Sequence, residues 1–136
     1  MRSWMAVAAA ALTSAGCMHE PVYKTLSGRP EVTIEGVPLP KVMETLVQLS
    51  RENGETVKNL TSDSFYTEIQ LGRSHTVKFS HRDYDFKQSM NTVRVICSMK
   101  IVTMFDSGGY EMTDITPHAG GPQCMETLNK LKQALK

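Results

Sequence analysis

Apolar and polar positions first fall into regular order at Glu31, Val32, Thr33, Ile34 and Glu35. They alternate with period two up to Gly36, as expected of a short half-buried strand. The period then changes. Leu39, Val42, Met43, Leu46 and Leu49 recur at intervals of three and four, while Lys41, Glu44, Thr45, Gln48, Arg51 and Glu52 fill the other side. That pattern predicts an amphipathic helix, with Pro40 in its first turn and Asn53-Gly54 as its stop.

Further along, residues 55–60 make a weak strand candidate. Residues 65–71 alternate with Phe65, Ile69 and Leu71 on one side; Gly72-Arg73-Ser74 turns the chain, and Val77 and Phe79 return on the same side, so a hairpin is expected. Asp85 followed by Gln88 has the spacing of a capping box, and Phe86, Met90, Val93 and Cys97 then fall at four, three and four, which predicts a second helix. The β-branched run at Val93, Val95 and Ile96 would shorten it. Residues 100–105 and 110–115 flank Asp106-Ser107-Gly108-Gly109, a turn whose glycines permit the positive φ of a tight hairpin. After a loop rich in Gly and Pro, Met125, Leu128, Leu131 and Leu135 define a final short helix. The expected fold class is α+β, a small mixed or antiparallel sheet with two helices packed on it plus a short C-terminal helix. One domain is expected over residues 31–136.

The first thirty residues follow a different logic. Arg2 precedes the apolar run Met5-Ala6-Val7-Ala8-Ala9-Ala10-Ala11-Leu12, and Thr13-Ser14-Ala15-Gly16 supplies small residues before Cys17, which is the layout of a bacterial export signal over residues 1–16. Ser14-Ala15-Gly16-Cys17 resembles the lipobox of bacterial lipoproteins, with Ser14 where Leu is usual. That resemblance implies an acylated Cys17, palmitate among its chains, and Met18 after it implies the outer membrane. Cleavage after Ala15 by signal peptidase I is the alternative, and it leaves Cys17 a free thiol. The chain has 3 cysteines, an odd number; acylation of Cys17 leaves Cys97 and Cys124 as an even pair, expected to form a disulfide bond in an exported protein. Residues 17–30, with Pro21 and Pro30 and no sustained period, read as a tether.

Composition narrows the function. The chain of 136 residues carries 15 Lys+Arg against 14 Asp+Glu, and residues 1–16 contain only Arg2 of these, so the mature part is neutral. Nucleic-acid binding by bulk positive charge has no support. The apolar run near the start is well short of the roughly 20 residues that span a bilayer as a helix.

The stretch Val32-Thr33-Ile34-Glu35-Gly36-Val37-Pro38-Leu39-Pro40, continued by the helix with spaced leucines to Gly54, resembles the opening of the secretin/TonB short N-terminal domain. The later order (Val77-Lys78-Phe79, a helix from Phe86, the hairpin around Gly108-Gly109) is similar as well. The resemblance covers roughly residues 31–115. It implies a domain of the kind found in freestanding outer-membrane lipoproteins of the DotD/TraH type, which serve secretion and conjugation machines, and in accessory lipoproteins of type IV pili. The cysteine pair and the terminal helix depart from that pattern, and resemble instead the disulfide-bonded pilotin lipoproteins of type II secretion.

Chemistry-bearing residues are sparse. His81-Arg82-Asp83 offers a base beside an acid, but no Ser or Cys stands in a nucleophile motif, so His81 is expected in a turn beside a helix cap. With His19, His75 and His118 there is no closely spaced His/Cys pair of the kind seen in zinc sites, and neither a metal nor another cofactor is implied. Gly108-Gly109 and Gly120-Gly121 lack the lysine and helix start of a phosphate loop. Of the 9 methionines, Met43, Met90 and Met104 fit apolar stripes and are expected as core filler.

The expected function is therefore non-enzymatic: a periplasmic protein held to outer-membrane lipid through Cys17 that docks onto a larger envelope protein of a secretion, conjugation or pilus machine. Residues 31–35 and 110–115 are the expected sheet edges, with Val32, Ile34, Tyr110 and Met112 as partner-binding residues. The alternative is an immunity or inhibitor lipoprotein that binds a secreted hydrolase.

Overall fold

The computed structural model describes residues 23–73 and 76–136. Residues 1–22, with the expected export signal, Cys17 and most of the expected tether, and the pair 74–75, which includes His75, lie outside the described residues. The elements run β1 (Glu31–Glu35), α1 (Leu39–Glu52), β2 (Thr56–Lys58), β3 (Ser64–Arg73), β4 (Thr76–Ser89), β5 (Thr92–Phe105), β6 (Tyr110–Asp114), a wide turn (Thr116–Gly120) and α2 (Gly121–Ala134). Both helices pack on one face of a six-stranded sheet whose pairings are all antiparallel. The fold class is α+β, as the patterning indicated.

β5 organises the sheet. Its 14 residues pair with β4 along their whole length, and its other side is shared: residues 92–96 pair with β1 and residues 100–104 with β6. β1 and β6 thus lie end to end along one edge. The gap between them is closed by local bonds, Cys97 N–H to the Pro30 carbonyl at 2.9 Å and Met99 N–H to Thr116 Oγ1 at 2.8 Å. Those contacts satisfy ladder groups that would otherwise be buried without partners.

Alternation along β5 sends Val93, Val95, Cys97 and Met99 toward the helices, where they meet Val32 and Ile34 from β1, Tyr84 and Phe86 from β4, and Val42, Leu46 and Leu128 from the helices. Each such side chain removed from water contributes roughly 1.5–3 kcal/mol. α1 buries Val42, Met43, Leu46, Val47 and Ser50, a stripe turned slightly from the expected one, so that Leu39 and Leu49 sit at its margin. Cys97 and Cys124 are joined in a disulfide that ties the middle of β5 to the first turn of α2.

The second expected helix is a correction. Residues 86–97 are the end of β4, a two-residue turn at Met90-Asn91, and the first half of β5, with Phe86 opposite Val95 and Ser89 opposite Thr92. Tyr84, Phe86, Val93 and Val95 face the core with period two, and β-branched residues favour the extended backbone. The domain therefore has two α-helices where three were expected, and the likeness to the secretin/TonB short domain loses the helix from Phe86. α2 also begins earlier than expected, at Gly121 rather than near Met125.

Candidate docking surface

With both helices on one face, the other face of the sheet is open, and register decides what it shows. Three pairings give one row across it: Gln70 opposite Phe79, Phe79 opposite Val102, and Val102 opposite Met112. The next row outward joins Val77, Met104 and Tyr110. Six apolar side chains thus stand together at the outer end of the open face, beyond the reach of the helical layer. Tyr110 is 68% exposed and Met112 47%. Phe79, Val77 and Val102 are half-buried. Neighbouring cross-strand pairs on one face lie close enough to act as a continuous surface.

Toward the middle of the sheet the same face turns polar. The row next to Phe79–Val102–Met112 is Glu68, His81, Lys100 and Asp114. Tyr66 stacks on His81, with ring centres 4.3 Å apart and planes 17° from parallel. His81 Nε2 lies 3.1 Å from Asp83 Oδ1 and its Nδ1 3.8 Å from Glu68 Oε2. Lys100 and Lys58 close the network, at 3.4 Å from Asp83 and 2.7 Å from Glu68. A shallow hollow of about 510 Å³ here is bordered by Arg29, Tyr66, Asp83, Asp85, Lys100 and Asp114. At the far end Arg94 grips Glu31 through Nε at 2.9 Å and Nη2 at 3.3 Å, and Ser27 donates to the same carboxylate from its N–H and hydroxyl. The Arg94 bond and those from Ser27 outweigh partial burial and hold the Glu31 carboxyl at about 2.

The expected partner residues divide between two environments. Val32 and Ile34 are only 8% and 4% exposed and point into the core, so their side chains hold α1 and α2 to the sheet and are not on an exposed surface; only the backbone of β1 belongs to an edge. Tyr110 and Met112 lie on β6, exposed, in the apolar rows. Val77 and Phe79 were expected beside Phe65 and Ile69. They occupy the opposite face, because Ile69 pairs with Ser80 and thus sits over the core side, while a bulge between Gln70 and Gly72 displaces Leu71. Met43 is core as expected. Met90, by contrast, is 95% exposed at the β4–β5 turn, and Met104 belongs to the open face.

His81 is in the middle of β4 rather than beside a helix cap, and the pleat directs Arg82 away from it to the helical side, where Arg82 donates to Thr127 at 2.8 Å and Gln123 at 3.4 Å. His118 lies in the wide turn before α2. Among the described residues, no group of three or more His, Cys, Asp and Glu is placed to hold a metal ion. The apolar rows had a local signal in the sequence: Val77 and Phe79, Val102 and Met104, Tyr110 and Met112 are each two residues apart and so share a face. Compared with protein-family models the chain matches none, and no curated protein matches it significantly.

Proposed function

We propose that this protein is a non-enzymatic lipoprotein of the bacterial envelope, anchored through Cys17 to the periplasmic side of the outer membrane. Its sheet docks onto a larger component of a secretion, conjugation or pilus machine. The observation that carries the reading is the pair of apolar rows, Phe79–Val102–Met112 and Val77–Met104–Tyr110, on the uncovered face. Apolar residues clustered on an open face mark an interaction surface more often than residues scattered singly. The Cys97–Cys124 bond suits an oxidising compartment. The lipobox-like start supports anchoring, and among the described residues no helix is long and apolar enough to cross a membrane.

The test is co-purification of the full chain from detergent-solubilised envelope, comparing the native sequence with Val102→Asp/Met112→Lys and, separately, Cys17→Ser. The expected result is that the double variant stays folded and membrane-bound but loses its large partner and the transport or conjugation it serves, whereas Cys17→Ser loses the membrane fraction. Retention of partner and transport by the double variant would refute the docking role. Recovery of a secreted hydrolase, inhibited by the bound protein, would favour the inhibitor reading instead.

A further inference from the structure

The structure contains an edge whose free backbone groups complement a second copy of themselves. In the β5–β6 hairpin, Phe105 N–H donates to the Gly109 carbonyl and Ile115 N–H to the Met99 carbonyl, both at 2.9 Å. Residues 109, 111, 113 and 115 therefore turn their backbone toward β5. Tyr110, Met112 and Asp114 turn theirs outward, because pairing in an antiparallel ladder alternates. All five residues of β6 are exposed, and no strand of the described residues lies beyond it.

The remaining edges are blunted, each by a different device. β2 has only three residues, and its Lys58 is bonded to Glu68. The outer half of β3 carries the bulge at Gln70/Gly72. The end of α2 runs beside β1, where Thr33, Glu35, Lys132 and Leu135 line one hollow. Short length, bulges and coverage are the usual protections against edge pairing; β6 has no bulge, and among the described residues no helix or strand lies over its edge, Tyr23, Gly28 and Arg29 only bordering a hollow beside Asp114.

We infer that β6 pairs antiparallel with β6 of a second copy about a two-fold axis at Met112, which joins the two sheets into one. In that register Met112 faces Met112 of the second copy and Tyr110 faces Asp114, so every outward N–H and C=O of the three residues on each copy finds a partner. Glu111 stands opposite Thr113. A slip that sets Tyr110 against Met112 would bring the two Glu111 carboxylates face to face, and like charges directly opposite are destabilising. On the open face the central row then runs unbroken through Phe79, Val102 and Met112 of both copies. The occupant is thus a second copy, identified by the self-complementary register, which pairs all the outward backbone groups and keeps the two Glu111 carboxylates from standing directly opposite, and the pairing does not depend on an acyl chain.

The experiment uses the full chain with Cys17→Ser, exported so that Cys97 and Cys124 are oxidised. Sedimentation velocity should show a concentration-dependent dimer, and hydrogen exchange should slow at the amides of Tyr110, Met112 and Asp114 as the dimer forms. Met112→Cys should cross-link to itself, since paired Cα atoms about 5.5 Å apart fall within disulfide range. Thr113→Cys should do so at least tenfold more slowly, whereas Glu111→Cys/Thr113→Cys should cross-link readily. Met112→Pro removes only an outward N–H, a position where an edge strand tolerates proline, and should weaken the dimer at least tenfold. A monomer at every concentration with freely exchanging amides overturns the inference. A dimer that fails to cross-link at Met112 also overturns it, because association would then run through another surface; this holds even where the proline variant does not fold.

Discussion

Cys97, in the middle of β5, is bonded to Cys124 in the first turn of α2 across a Cα separation of 5.8 Å, and the two are 27 residues apart in sequence. Between them lie the outer half of β5, β6 and the wide turn. The bond therefore closes a loop that contains Val102, Met104, Tyr110 and Met112, four of the six apolar side chains of the open-face rows, and returns the chain to the core where α2 begins. Chain-entropy reasoning assigns a loop of this size about 3 to 4 kcal/mol. Cys97→Ala/Cys124→Ala is expected to lose about that much stability in chemical denaturation. Hydrogen exchange in α2 should accelerate more than in α1, because α1 keeps its own packing through Leu46 and Val42.

The pairing of those cysteines was legible once Cys17 was set aside for the expected acylation, which leaves an even pair, but their setting was not. Phe86, Met90, Val93 and Cys97 have helical spacing, and Tyr84, Phe86, Val93, Val95 and Cys97 have strand spacing on either side of a turn. Periodicity does not separate the two readings when the turn carries Met90-Asn91 in place of glycine. β1 and α1 were readable because each is bounded by glycine or proline and keeps a single period. The open-face rows combine residues from β4, β5 and β6, so they exist only once register is set, and register depends on long-range pairing. The same reason explains Val32 and Ile34: alternation marks an edge strand, yet it does not say that a helix covers the inward side.

Glu31 makes the stability of the β1–β5 edge depend on pH. Its carboxyl is held at about 2, from 4.5, by the bonds from Arg94 and Ser27. Between these values the unfolded chain binds a proton that the folded chain does not. The contribution is therefore complete above about 4.5 and is lost as pH falls toward 2. Glu31→Gln is expected to lower stability at pH 7, with a difference from the native chain that narrows steadily below about 4.5 in urea titrations run as a pH series. A difference that stays constant from pH 7 to pH 2.5 would show that the carboxylate charge contributes nothing at this edge.

Glu55, just beyond α1, is buried and accepts bonds from Thr67 Oγ1 at 2.6 Å and Asn53 Nδ2 at 2.7 Å. Thr67 lies on the core side of β3, opposite Arg82. Thr67→Val keeps the shape and removes the donor, leaving a buried carboxylate with one partner fewer. Bonds to charged groups contribute about 1.5–3 kcal/mol, and a loss of that size is expected. Glu55→Gln placed on the Thr67→Val background should recover part of it, since a neutral amide needs less solvation. Equal stability of Thr67→Val and the native chain would show that water or another group replaces the hydroxyl.

Met90 holds the β4–β5 turn at φ 55°, in the left-handed region, while its side chain is 95% exposed and therefore contributes almost no packing. For a residue with a Cβ this conformation costs roughly 1–2 kcal/mol relative to the right-handed one, a strain that glycine does not carry. Glycine also gives more freedom to the unfolded chain, which offsets part of the gain. Met90→Gly is accordingly expected to raise stability by about 0.5–1 kcal/mol, and Met90→Asn by less, because asparagine tolerates the left-handed region better than methionine. Folding is expected to be as fast or faster, as the turn joins the two longest strands of the sheet. If Met90→Gly instead destabilises the isolated protein, Met90 packs against part of the chain in solution and the turn is not strained. If it stabilises the protein but weakens association with the proposed envelope partner, the exposed methionine belongs to a second contact at the end of the sheet opposite the apolar rows.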